Sequence, residues 1–333
     1  MRFHLVSAVA AVVMLTACVA HQPPRETVLD GITTTYDEIF EVPEVERWCE
    51  RLDFEAMRVD VGDCELYVEV EGQGTPLVLI NGGPGGTHHY FHPHFSRAAG
   101  SARVIYYDQR GCGLSCREPG GGYTIAQAVE DLDRLRQALG IDRWVVVGFS
   151  YGGLLAQVYA TKHEEHLAGL VLVASAFGPH LQAQPSRQYE YISDEERARM
   201  QEINEMPGLN GPQRMYNRYL NGDWKRQNFY RPTRERLAEQ ARYEWVHDRA
   251  FRPGIIESLA DVDLEGAFHD FTVPTLIMEA KWDLTWGADK PALFHGEHPN
   301  AELLFFERSG HSLFADEPER FFTELERFVH SLR

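Results

Sequence analysis

The sequence predicts a doubly wound, mostly parallel α/β sheet with an inserted helical cap, and three observations carry that prediction. Short, continuous apolar runs recur along the chain, as strands covered on both faces of a parallel sheet require. Segments of helical periodicity lie between those runs. One interval, residues 178–262, breaks the alternation: it is charged, rich in aromatic residues, and broken by Pro207-Gly208, Gly211-Pro212 and Pro253-Gly254. An all-helical insertion between two sheet strands reads as a cap over the C-terminal edge of the sheet, where open α/β sheets bind ligands.

The first residues stand outside this pattern. Arg2 supplies a short positive region, residues 5–15 are apolar, and Leu15-Thr16-Ala17-Cys18 resembles the bacterial lipobox, in which the chain is cut before a cysteine that is then lipidated. The apolar stretch is too short to span a bilayer as a lasting helix. Residues 1–18 therefore read as a lipoprotein-type signal, with Cys18 the lipidated residue and the protein exported to the cell envelope; the other reading of the stretch is ordinary signal cleavage slightly downstream, which exports the chain without the anchor. Residues 19–50, polar at first and containing Pro23 and Pro24, read as a tether and N-terminal segment.

The strand-like runs are 64–70, 76–80, 103–107, 144–147, 170–174, 275–279 and 302–306. A helix is predicted from Thr124, where Ile125, Val129, Leu132, Leu135 and Leu139 share one face. Thr124 with Gln127 has the spacing of a capping box, and Gly140 supplies the stop. The last helix is predicted from near Asp316, burying Phe321, Phe322, Leu325, Phe328 and Leu332. The core thus falls in two parts, residues 51–177 and 263–333, around the cap at 178–262.

Composition narrows the function. With 333 residues and 44% apolar content the chain can bury a sizeable core. A net charge of −18, spread along the chain, repels phosphate backbones and argues against a nucleic-acid partner, though it would attract an amine. Beyond Cys18 the cysteines are Cys49, Cys64, Cys112 and Cys116, an even number in a compartment that tolerates disulfides. Of the three pairings open to them, Cys49–Cys64 with Cys112–Cys116 is the local choice.

Chemistry is signalled by Gly148-Phe149-Ser150-Tyr151-Gly152. It follows an apolar strand and precedes a helix, the setting of a nucleophile elbow, in which a strained turn lifts the serine hydroxyl above the sheet. Serine needs a base, and in this chain order the base lies near the C-terminus. His311, just after run 302–306, is the candidate; His295 and His298 precede that strand and read as exposed loop residues. The orienting acid should follow run 275–279, which selects Asp283 over Asp289, deeper in the next helix, and Glu279, still in the strand. Asn81-Gly82-Gly83-Pro84-Gly85-Gly86 follows another strand, and the N–H groups of Gly83 and Tyr151 are the candidate oxyanion hole. His88, His89, His92 and His94 have a spacing a metal could use, but their segment lacks companion carboxylates or cysteines, so no metal is assigned. No phosphate loop or dinucleotide fingerprint is present, and no cofactor is expected.

Four motifs in order resemble the prolyl iminopeptidase family of α/β-hydrolases, which includes the archaeal tricorn-interacting aminopeptidase. They are residues 81–86, Asp108-Gln109-Arg110-Gly111-Cys112-Gly113-Leu114-Ser115, residues 148–153, and the Asp283/His311 pair. The resemblance covers roughly 60–175 and 270–333. It implies an α/β-hydrolase fold and release of an N-terminal residue, often proline, from a small peptide or amide, with Ser150, Asp283 and His311 as the triad. Asn81 replaces the family's histidine, and Tyr151 stands where many members carry tryptophan. Family members hold the substrate amine with acidic cap residues, for which Glu244 is the candidate, opposed by nearby Arg252. Two other readings stay open: an esterase or lactonase using the same triad, and a non-catalytic envelope protein that binds a ligand on this scaffold.

Overall fold

The computed structural model describes residues 55–117, 122–176, 178, 187, 193–209, 229–230, 233, 236, 252–286 and 289–332. Its centre is an eight-stranded sheet of β1 (Glu55–Asp60), β2 (Glu65–Glu71), β3 (Thr75–Ile80), β4 (Ala102–Tyr107), β5 (Trp144–Phe149), β6 (Leu167–Val173), β7 (Thr275–Ala280) and β8 (Glu302–Phe306), in the order β1-β2-β4-β3-β5-β6-β7-β8. The six strands from β4 to β8 in that order are parallel, while β1 and β2 run antiparallel at one edge. All seven expected strands are present. The eighth, β1, was not expected from sequence, because this edge strand buries only Val59 and carries no apolar run.

The pleat divides the sheet's side chains between two cores. Val78, Ile80, Val146, Leu170, Leu172 and Ile277 face one core, packed with α1 (Ile125–Ala138) and α2 (Tyr151–Lys162). Leu77, Leu79, Val145, Val147, Val171 and Leu276 face the other, closed by α7 (Pro318–Ser331) through Phe321, Phe322, Leu325, Phe328 and Val329. Near-continuous apolar strands are the consequence of that double covering. The last helix begins two residues later than expected, at Pro318, because residues up to Asp316 form a separate short helix, α6 (Leu313–Asp316).

Thr124 caps α1, accepting a hydrogen bond from Gln127 N–H at 3.1 Å. The reciprocal half of the expected capping box is not made: the Gln127 side chain donates to Asp131 at 2.9 Å, and that carboxylate also takes both arms of Arg110. In the interval 178–262 the described elements are helical: α3 (Asp194–Glu205), α4 (Arg252–Ser258) and a 3-10 turn at Leu259–Asp261. A further helix, α5 (Lys290–Glu297), precedes β8. Among the described residues no helix is long and apolar enough to cross a membrane. The proposed signal, Cys18, the tether and Cys49 lie outside the described residues.

The cysteine pairing differs from the local choice. Cys64 is bonded to Cys116, with a Cα–Cα separation of 5.5 Å. The cause is topological: antiparallel pairing of β2 with β4 returns the chain alongside β2, where Cys116 N–H donates to Glu65 C=O at 3.0 Å. Cys112 is instead turned into the core that holds Tyr107 and Tyr151.

Candidate active site

The sheet order reverses about β3, with β4 on one side and β5 on the other, so the loops after β3 and β5 share a crevice at the C-terminal edge. Ser150 follows β5 and is the N-cap of α2, at φ 56°, a left-handed conformation that a non-glycine residue adopts only where surrounding contacts enforce it. Those contacts are visible. Ser150 N–H donates to Val173 C=O at 3.0 Å, and its own carbonyl accepts from Gly153 and Ala176 at 2.9 and 2.8 Å. Gly152 lies so close to β3 that a Cβ there would stand 2.1 Å from the Ile80 carbonyl oxygen, so no other residue fits the crossing. Ser150 remains partly accessible while its neighbours are buried.

The glycine loop closes beside it: a Cβ on Gly82 would stand 2.9 Å from that of Ser150. Asn81, the residue that departs from the family motif, explains the loop's shape. Its side-chain amide donates to the Gly86 carbonyl at 2.5 Å, and its own oxygens accept from Gln109 Nε2 at 3.1 and 3.2 Å. Tyr90 Oη accepts from Gly82 N–H. Gly83 sits exposed at φ 127°, and Tyr151 begins α2, where an N–H has no partner in the helical ladder. The two candidate donors thus stand on a braced glycine loop and at a helix start on either side of Ser150.

Asp283 and His311 are brought together from separate loops. His311 Nδ1 lies 2.8 Å from Asp283 Oδ2, both groups being more than nine-tenths buried. Thr285 N–H donates to the other Asp283 oxygen at 3.0 Å. Burial opposes ionisation of Asp283, yet the charge and hydrogen bond of His311, with Lys290 and Thr285, hold it below its ordinary value. The ring of Phe149 packs on His311 at 4.9 Å. Trp282 N–H donates to Ser309 C=O, and Glu317 accepts from Arg308 N–H and the Ser309 hydroxyl, so the two loops are tied to one another.

The rejected alternatives fall elsewhere. Asp289 is exposed at the start of α5, and Glu279 is buried within β7, paired with Lys290 at 2.7 Å. Burial pushes Glu279 up to about 7 despite that lysine. His295 is exposed, but on α5 rather than in a loop. His298 corrects the expectation outright: it is buried, stacked on Phe268 at 4.1 Å, with Nε2 3.3 Å from Gln157. Glu244 lies outside the described residues, and of Arg252 only the backbone is described.

The histidine cluster acquires the carboxylates its own segment lacks. His88 is held between Asp108 at 2.8 Å and Glu69 at 3.2 Å, and His92 donates toward Glu69 at 2.9 Å. Asp108 also accepts from Leu114 N–H at 2.8 Å, and Tyr67 donates to Glu69 at 2.6 Å. These partners consume the carboxylates, and among the described residues no cluster is arranged to hold a metal ion. The Asp-Gln-Arg-Gly motif thus does structural work: Asp108 fixes His88, Gln109 fixes Asn81, and Arg110 clamps α1 through Asp131. Glu69 was missed in the sequence, since one glutamate in an alternating strand carries no distinguishing signal.

Residues 75–318 match the family model described as the alpha/beta hydrolase fold. The chain belongs to the α/β-hydrolase fold family. Among curated relatives, this hydrolase is similar to a proline iminopeptidase of Saccharolobus solfataricus, 28% identical over 80% of this chain and 87% of the relative. It is 34% identical to a proline iminopeptidase of Lactobacillus delbrueckii subsp. bulgaricus, over 42% of this chain and 51% of that one. Among solved structures it resembles an esterase from Exiguobacterium antarcticum, with TM-score 0.64 and 26% identity over 83% of this chain and all of that one. A proline iminopeptidase from Mycobacterium smegmatis shares the fold, with TM-score 0.60 and 22% identity over 84% and 98% of the two chains.

Proposed function

We propose that this hydrolase is a serine enzyme of prolyl iminopeptidase type, releasing an N-terminal residue from short peptides or amides through an acyl-enzyme. The observation that carries the reading is the buried 2.8 Å bond between Asp283 and His311, on loops bordering the crevice where Ser150 is held in its strained turn. In this scheme Asp283 accepts from Nδ1, leaving Nε2 free to take the Ser150 proton. The serine oxygen attacks the substrate carbonyl, and the N–H groups of Gly83 and Tyr151 receive the charge that develops on its oxygen. His311 then protonates the leaving amine, and later activates the water that deacylates Ser150. No cofactor enters.

The preference for peptides with a free N-terminus rests on the iminopeptidase relatives, and an acidic cap residue such as Glu244 would hold the amine. An esterase reading is favoured by one specific finding, the likeness to the Exiguobacterium esterase across that protein's whole length. At the envelope, the Cys64–Cys116 bond supports the proposed export, since disulfides persist where thiols are not kept reduced. Anchoring through Cys18 would place the crevice near a membrane.

The test is hydrolysis of fluorogenic prolyl, alanyl and leucyl amides, N-blocked prolyl amide and short-chain esters by the full chain in detergent, with Ser150→Ala as control. Fast release from free-amine prolyl amide, lost on blocking and in the variant, is expected. Ester turnover with silent amides would replace the peptidase by the esterase. Silence throughout, with a folded chain, would favour the ligand-binding scaffold.

A further inference from the structure

Asp316 stands at the end of α6, five residues beyond His311, and its side chain is almost wholly buried. A carboxylate in that position must be paid in hydrogen bonds or counter-charge, and its partners come from two different parts of the chain. Oδ2 accepts at 2.8 Å from the N–H of Gly310, the residue immediately before His311. The same oxygen accepts at 2.8 Å from the N–H of Tyr230, which belongs to the insertion. Oδ1 lies 2.8 Å from Arg236 Nη1, again from the insertion.

The residues around this carboxylate reinforce the link. Arg236 lies over the ring of Phe229 at 4.9 Å, and its N–H donates to Thr233 at 3.2 Å. The Tyr230 ring stacks on Trp282 at 5.7 Å and 20°, beside Asp283. Earlier in the insertion, Arg187 N–H donates to the Leu284 carbonyl at 2.9 Å, on the other side of Asp283. The insertion thus touches the loop of the orienting acid at both neighbours of Asp283, and the loop of the histidine through one carboxylate.

We propose that Asp316 is a positioning residue: it is the joint through which Tyr230 and Arg236 of the insertion set the placement of the His311 loop. The inference rests on the triad reading above. If it holds, the carboxylate has two separable duties. Its bond to Gly310 fixes the backbone that carries the base. Its hydrogen bond from Tyr230 N–H and its ion pair with Arg236 hold those residues of the insertion beside the triad loops and so bear on access.

Saturable inactivation of the full chain by a fluorophosphonate separates these duties, because the maximal rate reports the base and the half-saturating concentration reports access. Asp316→Ala is expected to lower the maximal rate by about tenfold or more, the effect of losing a bond to a charged acceptor beside the base. Asp316→Asn keeps an acceptor for Gly310, so it should restore that rate to within about threefold while weakening half-saturation. Arg236→Gln, at a partly exposed side chain, should weaken half-saturation alone. Equal maximal rates for wild type and a folded Asp316→Ala, or unchanged half-saturation in both Asp316→Asn and Arg236→Gln, would overturn the joint. A folded wild type that takes no label would instead overturn the triad reading beneath it.

Discussion

An imidazole can serve as base for Ser150 only if the nitrogen facing the serine is unprotonated, which makes the Asp283–His311 bond the decisive contact at the residue scale. Asp283→Asn would present an amide that can donate to Nδ1, stabilising the wrong tautomer. Turnover of whichever substrate the wild type accepts should fall by about 10³–10⁴, with little change in folding, as kcat/KM and thermal unfolding would show. The neighbouring Glu279–Lys290 pair makes a different prediction. Both groups are buried, and removing one leaves an uncompensated charge. Lys290→Met should destabilise the fold by about 3–5 kcal/mol in urea, and adding Glu279→Gln should recover much of that loss. Strictly additive costs would show that the two side chains are not coupled.

At the scale of elements, the disulfide offers the cleanest test. It ties the start of β2 to the loop after β4, closing a loop of 52 residues, and that loop also carries Asp108, Gln109 and Arg110. Cys64→Ser with Cys116→Ser should lower stability by about 2–4 kcal/mol while leaving the site assembled, so activity at moderate temperature should persist. Loss of activity before loss of fold would instead make the disulfide part of the site's bracing. These elements also show what a sequence can disclose. Strands β3 to β7 were legible as apolar runs, with β2 an alternating and β8 a half-buried one, and the turn at Ser150 and the pairing of Asp283 with His311 because strand and chain order constrain where such residues can stand. What was not legible depends on contacts between distant segments. The Cys64–Cys116 bond follows from strand order; Glu69 acquires meaning only when β2 lies beside His88 and His92; and His298 is buried by Phe268 from a segment thirty residues earlier. The unmade half of the Thr124 capping box has the same origin, since Asp131 holds Gln127 while itself held by Arg110.

For the whole molecule, buried histidines make stability depend on pH. Burial lowers His298 to about 3, and burial with neighbouring positive charge lowers His89 to about 3 and His94 to about 4. The unfolded chain binds these protons below about pH 6.5, while the folded chain does not until far lower, so their contribution is present above 6.5 and lost as pH falls. Glu279 and Asp316, which burial raises to about 7 and about 6, act in the opposite sense and mask part of this slope. A single substitution isolates one group. Relative to the wild type, His298→Gln should gain about 2 kcal/mol between pH 7 and pH 5 in denaturant titrations; a difference that stays constant with pH would mean that His298 is not buried neutral.

The same whole-molecule scale holds the central claim, that sheet edge, glycine loop and two C-terminal loops converge to make Ser150 a nucleophile. The most direct measurement is mass-spectrometric mapping of the adduct left by a fluorophosphonate on the folded full chain. A single adduct on Ser150, absent after denaturation before exposure and strongly reduced in His311→Ala, is the predicted result. An adduct on another residue, or none on a chain shown to be folded, would contradict it.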